Sequence, residues 1–301
     1  MTINTGSIQK ALTPGVKSWF GLTYDEHQEE FSKIFDQDTS KRKYEEDIQV
    51  TGFGLAPVKT QGGGITYVDQ SQGYTSRYTH IAYALGFIIT YEAMEDNLYS
   101  ELAKKRTQAL ARSMRQTKER VGANILNRGF NASFTGGDGV QLLATTHPTA
   151  AGNQSNILSA AADLSEQALE DLCIQIMDAT DDNGLKIGLN PQKLIIPTAL
   201  VFEAERVLKS VQQNDTANNA INALKSKGAI PEIVVNHYLT DSDAFFIKTD
   251  APRGLTMFQR SLIPVVEDND KSDTMNLKYY SYDRYSFGWS DWRGTFGSAG
   301  A

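Results

Sequence analysis

The sequence predicts an α+β fold, on three observations. Strand-like and helix-like stretches follow one another without regular βαβ alternation, no internal repeat is visible, and one helical stretch is far longer than its neighbours. Hydrophobic residues are 40% and charged residues 22% of 301 residues, with 24 Gly and 8 Pro, the composition of a folded chain rather than a low-complexity one. The net charge is -7, which argues against a surface that grips nucleic acid as a whole while leaving room for a local basic patch. The single Cys, Cys173, cannot form an intramolecular disulfide, so a reducing compartment is expected. The longest apolar run, Ile81 to Ile89, is too short to span a bilayer, and Met1 to Thr5 has neither the basic start nor the apolar core of a signal peptide.

Residues 1 to 47 read as an arm. Asp25, Glu26, Glu29, Glu30, Asp36, Asp38, Glu45, Glu46 and Asp47 crowd a segment whose large apolar side chains are few, so it must lie across another surface. From Ile48 to about Tyr78, two extended runs flank Gly62-Gly63-Gly64 and predict a hairpin on the order of 45 Å long. Its shortage of large apolar residues points to partners elsewhere, on another subunit. Ile81, Tyr83, Leu85, Phe87 and Ile89 then alternate with smaller residues and predict a strand with one bulky face. Asp96-Asn97 opens a helix that runs to about Asn127 without Pro, and without Gly until Gly122, its apolar stripe carried by Leu98, Leu102, Ala109, Leu110, Met114, Val121 and Ile125.

After the Gly-rich break Thr135 to Gly139, Ser165 is the expected N-cap of a helix stapled by Leu164 and Leu169, with Cys173 on its buried stripe. Strands are expected at Leu194 to Ile196, Glu232 to Val235, Phe245 to Ile247 and Leu277 to Trp289, with a helix from about Thr198 to Val211 between the first two.

Catalytic chemistry finds no support. His27, His80, His147 and His237 are scattered without metal-ligand spacing, and Asp178 to Gly184 lacks the Gly and closing Glu of a calcium loop and reads as a helix-terminating turn. Gly62-Gly63-Gly64 precedes no Lys-Ser/Thr pair and no helix, so it is not a phosphate loop, and there is no Gly-x-Ser-x-Gly elbow. No catalytic residue, cofactor or metal is expected. One charge asymmetry stands out: Lys104, Lys105, Arg106, Arg112, Arg115, Lys118, Arg120 and Arg128 on the long helix face only Glu101 and Glu119. A solvated face, an acidic partner surface and phosphate contact are the three readings.

The order of parts, with the runs Ala84 to Asn97, Leu142 to Pro148, Asn156 to Leu158, Leu164 to Glu170 and Asn190 to Ala204, resembles tailed-phage major capsid proteins of the HK97 fold, more narrowly the Mu-like prophage major head subunit family. The resemblance spans roughly residues 30 to 295. It implies an N-arm at 1–47, an extended E-loop at 48–80, a peripheral domain with the long spine helix at 81–135 and 266–301, and an axial domain at 136–265. It further implies self-assembly through pentamers and hexamers into an icosahedral shell around double-stranded DNA, without sequence-specific binding. Portal and scaffold or decoration proteins are the implied partners, the virion is the implied location, and the bacterial host cytoplasm is the implied place of assembly. No membrane takes part.

Intersubunit contacts are expected at Lys59, Gly62, Gly63 and Gly64 in the E-loop, and at Arg112, Arg115 and Lys118 on the helix opposite Glu29 and Glu30 of the arm. Some shells of this fold join an E-loop Lys to a neighbour's Asn with a Glu as base. Lys59 lies in the corresponding loop, but no triplet is marked, so none of this cross-linking is expected. An encapsulin-like protein compartment and a soluble α+β enzyme are the rival readings.

Overall fold

The computed structural model describes residues 6–90, 92, 99–213, 220–268 and 276–301. The helix opening expected at Asp96-Asn97, and the Leu98 and Leu102 side chains of its stripe, lie outside the described residues.

Three helices and four strands come first: α1 (Gly6–Glu26), α2 (Phe31–Ile34), β1 (Asp36–Thr39), β2 (Tyr44–Val50), β3 (Gln72–Thr79), β4 (Ile81–Ile89) and α3 (Tyr99–Asn127). After the short hairpin β5 (His147–Thr149) and β6 (Gly152–Gln154) come α4 (Glu166–Met177), β7 (Pro191–Ile196), α5 (Val201–Lys209), α6 (Ala223–Lys227), β8 (Glu232–Val235) and β9 (Phe245–Thr249). Three strands close the chain: β10 (Leu255–Asp268), β11 (Leu277–Trp289) and β12 (Thr295–Ser298).

Two four-stranded sheets organise these elements. The first has the order β1-β10-β11-β4, with β1 parallel to β10 and the other pairs antiparallel. Tyr83 stacks on Tyr285 at 4.9 Å and Phe87 on Tyr279 at 5.3 Å, so the bulky face of β4 builds onto its neighbour strand. Ile81 and Leu85, on the same face by alternation, stay exposed. The spine α3 and the antecedent helix α1 close a core on this sheet made of Val16, Phe20, Leu110, Met114, Val265, Leu277 and Tyr279.

The second sheet has the order β12-β9-β7-β8, with β7 parallel to β8. It is covered by α4 and α5 through Leu169, Leu172, Ile176, Ala204 and Val207 packed on Leu194, Ile196, Phe245 and Ile247. Ser165 Oγ accepts from the Ala168 N–H at 3.2 Å, the expected cap, and Cys173 is buried on the stripe between Leu169 and Ile176. The helix at 201–209 is shorter than expected, because its first turn, Thr198–Leu200, is a 3-10 turn.

Phe31, Ile34, Phe35, Leu126, Leu142, Leu143, Ile195, Phe246, Met257 and Tyr285 form the third core, where the two sheets meet. The expected domain limits differ from this layout in two places. The limit between residues 265 and 266 falls inside β10, which runs on through two register shifts, one at Arg260 and one that accommodates Pro264. Residues 295–298 belong with β9, because Phe296 pairs with Ile247 and Gly297 also bridges Ile157.

Candidate assembly surfaces

The hairpin expected at 48–78 divides into a seated stem and a free tip. The stem is the β2–β3 ladder, from Tyr44 opposite Thr79 to Val50 opposite Gln72. It is held by its own subunit: Gln49 Nε2 donates to Asp182 Oδ2 at 3.0 Å, Asn183 Nδ2 donates to Gly52 O at 2.6 Å, and Tyr78 Oη and Ser290 Oγ are 2.7 Å apart. Asp47 pairs with Arg253, and the Tyr74 hydroxyl donates to Pro148 O. Gly137 is needed here, since a Cβ would lie 2.8 Å from Ser76 Oγ and Thr75 O. Partners on another subunit, expected for the hairpin from Ile48 to about Tyr78 as a whole, are therefore left to the tip, because polar stem residues find partners in their own subunit that composition does not reveal.

Beyond the Thr51 N–H to Ser71 O bond of 3.0 Å, the tip has no regular strand pairing. Gly63 N donates to Thr60 O at 3.0 Å, closing a turn in which Gly62 takes φ 80, a left-handed conformation suited to glycine. Lys59 and Gly64 are exposed on either side of this turn. Leu55 is 83%, Val58 94% and Tyr67 89% exposed, a concentration of large apolar side chains that isolated subunits have no reason to present to water. A second apolar surface is a groove of about 390 Å³ where Ile81, Tyr83, Ile125, Phe134 and Trp289 meet.

The charged candidates sort differently from their sequence pattern. Arg115 is buried against its own arm: its Nη1 donates to Glu29 Oε1 at 2.6 Å, Nη2 donates to His27 O at 3.2 Å, and the guanidinium stands 4.5 Å over the Tyr24 ring. Lys118 is buried too, its ammonium 3.4 Å from Asp283 Oδ2 and donating to Gln259 Oε1 at 2.6 Å, between the rings of Phe31 and Tyr285. Burial lowers the Lys118 pKa against the pull of Asp283. Glu30 binds His237, with Oε2 accepting its backbone N–H at 2.9 Å and Oε1 2.6 Å from Nδ1. Arg112 alone of the three basic candidates remains exposed. Helix and arm do meet, but within one chain, because α1 and α2 fold back along α3.

Two groups to which the sequence reading gives no contact carry the junction. Glu119 accepts the N–H groups of Glu30 and Phe31, each at 3.0 Å, and so anchors the start of α2. Burial raises its pKa, partly offset by those two donors. Asn156, fully buried, accepts from Ala144 N at 2.9 Å and donates to Leu142 O at 2.7 Å and Thr295 O at 2.9 Å, with His147 Nε2 3.2 Å from its Oδ1. His147 stacks on Trp292 at 4.4 Å, and its Nδ1 lies 2.6 Å from Asp138 Oδ2. No sequence spacing links residues 138, 147, 156 and 292, although Asn156 and His147 lie in two of the runs that carry the resemblance. Among the described residues, no group of three or more His, Cys, Asp and Glu side chains could hold a metal ion, and no helix is long and apolar enough to cross a membrane.

The chain was compared with known proteins. No curated protein matches it. A structure from Mycobacterium phage Che8 aligns with a TM-score of 0.52 at 14% identity, covering 90% of each chain. The capsid of an empty GTA particle aligns at 0.53 and 10% identity, again over 90% of each. A virus-like particle from Pyrococcus furiosus aligns at 0.51 and 12% identity, over 94% of this chain and 97% of that one. The shared fold is the HK97 type. The family model described as phage capsid protein matches residues 73–297, which takes in nearly all of β3, the spine and both sheets apart from β1, and the chain belongs to that family.

Proposed function

We propose that this chain is the major capsid protein of a tailed phage, its copies joining through pentamers and hexamers into an icosahedral shell around packaged double-stranded DNA. The supporting observation is the phage capsid family match over residues 73–297 combined with a projecting tip whose apolar side chains have no cover in their own subunit. On this reading residues 1–47 are the N-arm, 48–80 the E-loop, 81–135 and 266–301 the peripheral domain and 136–265 the axial domain, with β10 running across the limit at 265 and β12 seated in the axial sheet. The tip residues Lys59, Gly62, Gly63 and Gly64 lie on a neighbouring subunit, a contact that does not call on Arg112. The role is structural rather than enzymatic, in a head of Mu-like type that also engages portal and scaffold or decoration proteins and is assembled in the bacterial cytoplasm. A phage capsid family favours a nucleic-acid filling over the protein cargo of an encapsulin-like compartment.

Deleting Gln61 to Ile65 tests the reading. The wild-type chain is expected to give shells by electron microscopy and size exclusion, and the deletion a folded subunit with none, since the stem keeps its own-subunit contacts. Normal shells from the deletion overturn the role of the tip. A wild-type chain that elutes only as a small oligomer overturns the shell itself.

A further inference from the structure

From the exposed face of α3 we infer a binding surface for the phosphate backbone of duplex DNA, made by Lys105, Arg112 and Arg120 and flanked by Lys104. The inference rests on the shell reading and adds a direction to it: this face of the spine looks into the container.

Three observations carry it. First, Lys105, Ala109, Arg112, Gln116 and Arg120 recur at the spacing of one helical face, and all five are exposed. The stretch from Lys105 to Arg120 spans about 22 Å at 1.5 Å per residue, roughly two-thirds of a duplex turn. Second, the face is unbalanced. Among the described residues none of Lys104, Lys105, Arg112 and Arg120 forms an ion pair; Glu119 is buried on backbone N–H groups, and against these four cations the stretch exposes one carboxylate, Glu101, a turn before Lys105. A strip with this surplus of positive charge in a chain of net charge -7 runs against the overall balance.

Third, the acidic surface that the sequence offers as partner is largely engaged within its own subunit. Glu29 is taken by Arg115, Glu30 by His237, Asp36 by Lys248, Glu46 by Arg77 and Asp47 by Arg253. A neighbouring copy's arm therefore has few free carboxylates to give, whereas duplex DNA carries one charge for about every 1.7 Å of axis. Three or four such contacts per subunit are weak singly and independent of base sequence. Repeated over a shell lining, they order the outermost layer of DNA while leaving it free to slide.

The test uses the full-length protein as unassembled subunits and a short fluorescent duplex of arbitrary sequence, titrated across a salt series. The triple variant Lys105→Gln, Arg112→Gln, Arg120→Gln is compared with a control of equal charge change elsewhere, Lys186→Gln, Lys209→Gln, Lys227→Gln. Wild type and control should bind with log K falling linearly in log salt, and the triple variant with a slope smaller by about 3. The triple variant should also assemble into shells like wild type. An unchanged slope, or an equal loss in the control, overturns the proposal. So does a triple variant that binds DNA normally but forms no shells, because the stripe then meets an acidic surface on a second copy. If the wild type forms no shells, the shell reading fails, while the slope comparison still decides the DNA contact.

Discussion

Replacing Lys118 by Met removes one member of a buried ion pair and leaves Asp283 without its counter-charge. The ammonium and the carboxylate are 3.4 Å apart, with side-chain exposures of 7% and 3%. At an effective dielectric constant of about 20, two unit charges at that separation attract by roughly 5 kcal/mol, most of which offsets the desolvation of both groups. The single variant loses the attraction and keeps the desolvated carboxylate, whose remaining partner is Gln259 Nε2 at 2.6 Å. A destabilisation of about 3–5 kcal/mol is expected. The double variant Lys118→Met, Asp283→Leu removes both charges. Gln259 Nε2 then still donates to Ser261 O at 3.1 Å, leaving Gln259 Oε1 as the orphaned acceptor. Its cost should be about 1–2 kcal/mol, well below that of the single variant. Urea unfolding of the unassembled subunit measures both. A single-variant loss below about 1 kcal/mol, or a double variant no more stable than the single, refutes the reasoning. A Lys118→Met chain that folds normally but cannot assemble would instead return Lys118 to the subunit interface.

Asn156→Asp keeps the shape of the side chain but turns a donor toward Leu142 O and Thr295 O into an acceptor, and should cost about 2–4 kcal/mol in the same assay. Burial pushes the Cys173 thiol up to about 11, so a thiol reagent at neutral pH should leave the native chain unlabelled and label one site after denaturation. Glu119, its pKa raised by burial, takes up a proton on folding in the window between its ordinary and raised values. Its contribution to stability therefore falls as pH rises through that window, and the stability of wild type relative to Glu119→Gln should decline over the same range, a flat difference counting against burial as the dominant influence on this carboxyl.

Elements with strong local signals were legible in the sequence. β8 and β11 have the expected bounds, and the Ser165 cap and the Leu164–Leu169 staple report on neighbours within one turn of helix. The helix α1 was not legible, because Pro14, Gly15 and Gly21 break its pattern and its apolar face is completed by α3, far along the chain. β10 was hidden in the same way by Arg260 and Pro264, where the pairing with β11 shifts register. The basic helix shows the limit most directly. Arg112, Arg115 and Lys118 look alike in one dimension, yet only tertiary structure decides that Arg115 and Lys118 are buried at 4% and 6% exposure while Arg112 is free.

The parallel pairing of β1 with β10 has a consequence in time. Asp36 to Thr39 reach the ribosome exit long before Thr256 to Gln259, their partners in the ladder. At about 5–20 residues per second, roughly 10–40 s of synthesis separate the two. During that interval the acidic arm has no sheet to join, Asp36 has no Lys248 to bind, and Phe31 and Phe35 lack the Phe287 ring on which both later pack. The last piece of that site, Phe287 in β11, emerges later still. A chain truncated or stalled before β11 therefore lacks a seated arm, and the polypeptide carries its own check on synthesis: the arm settles only once Phe287 is present.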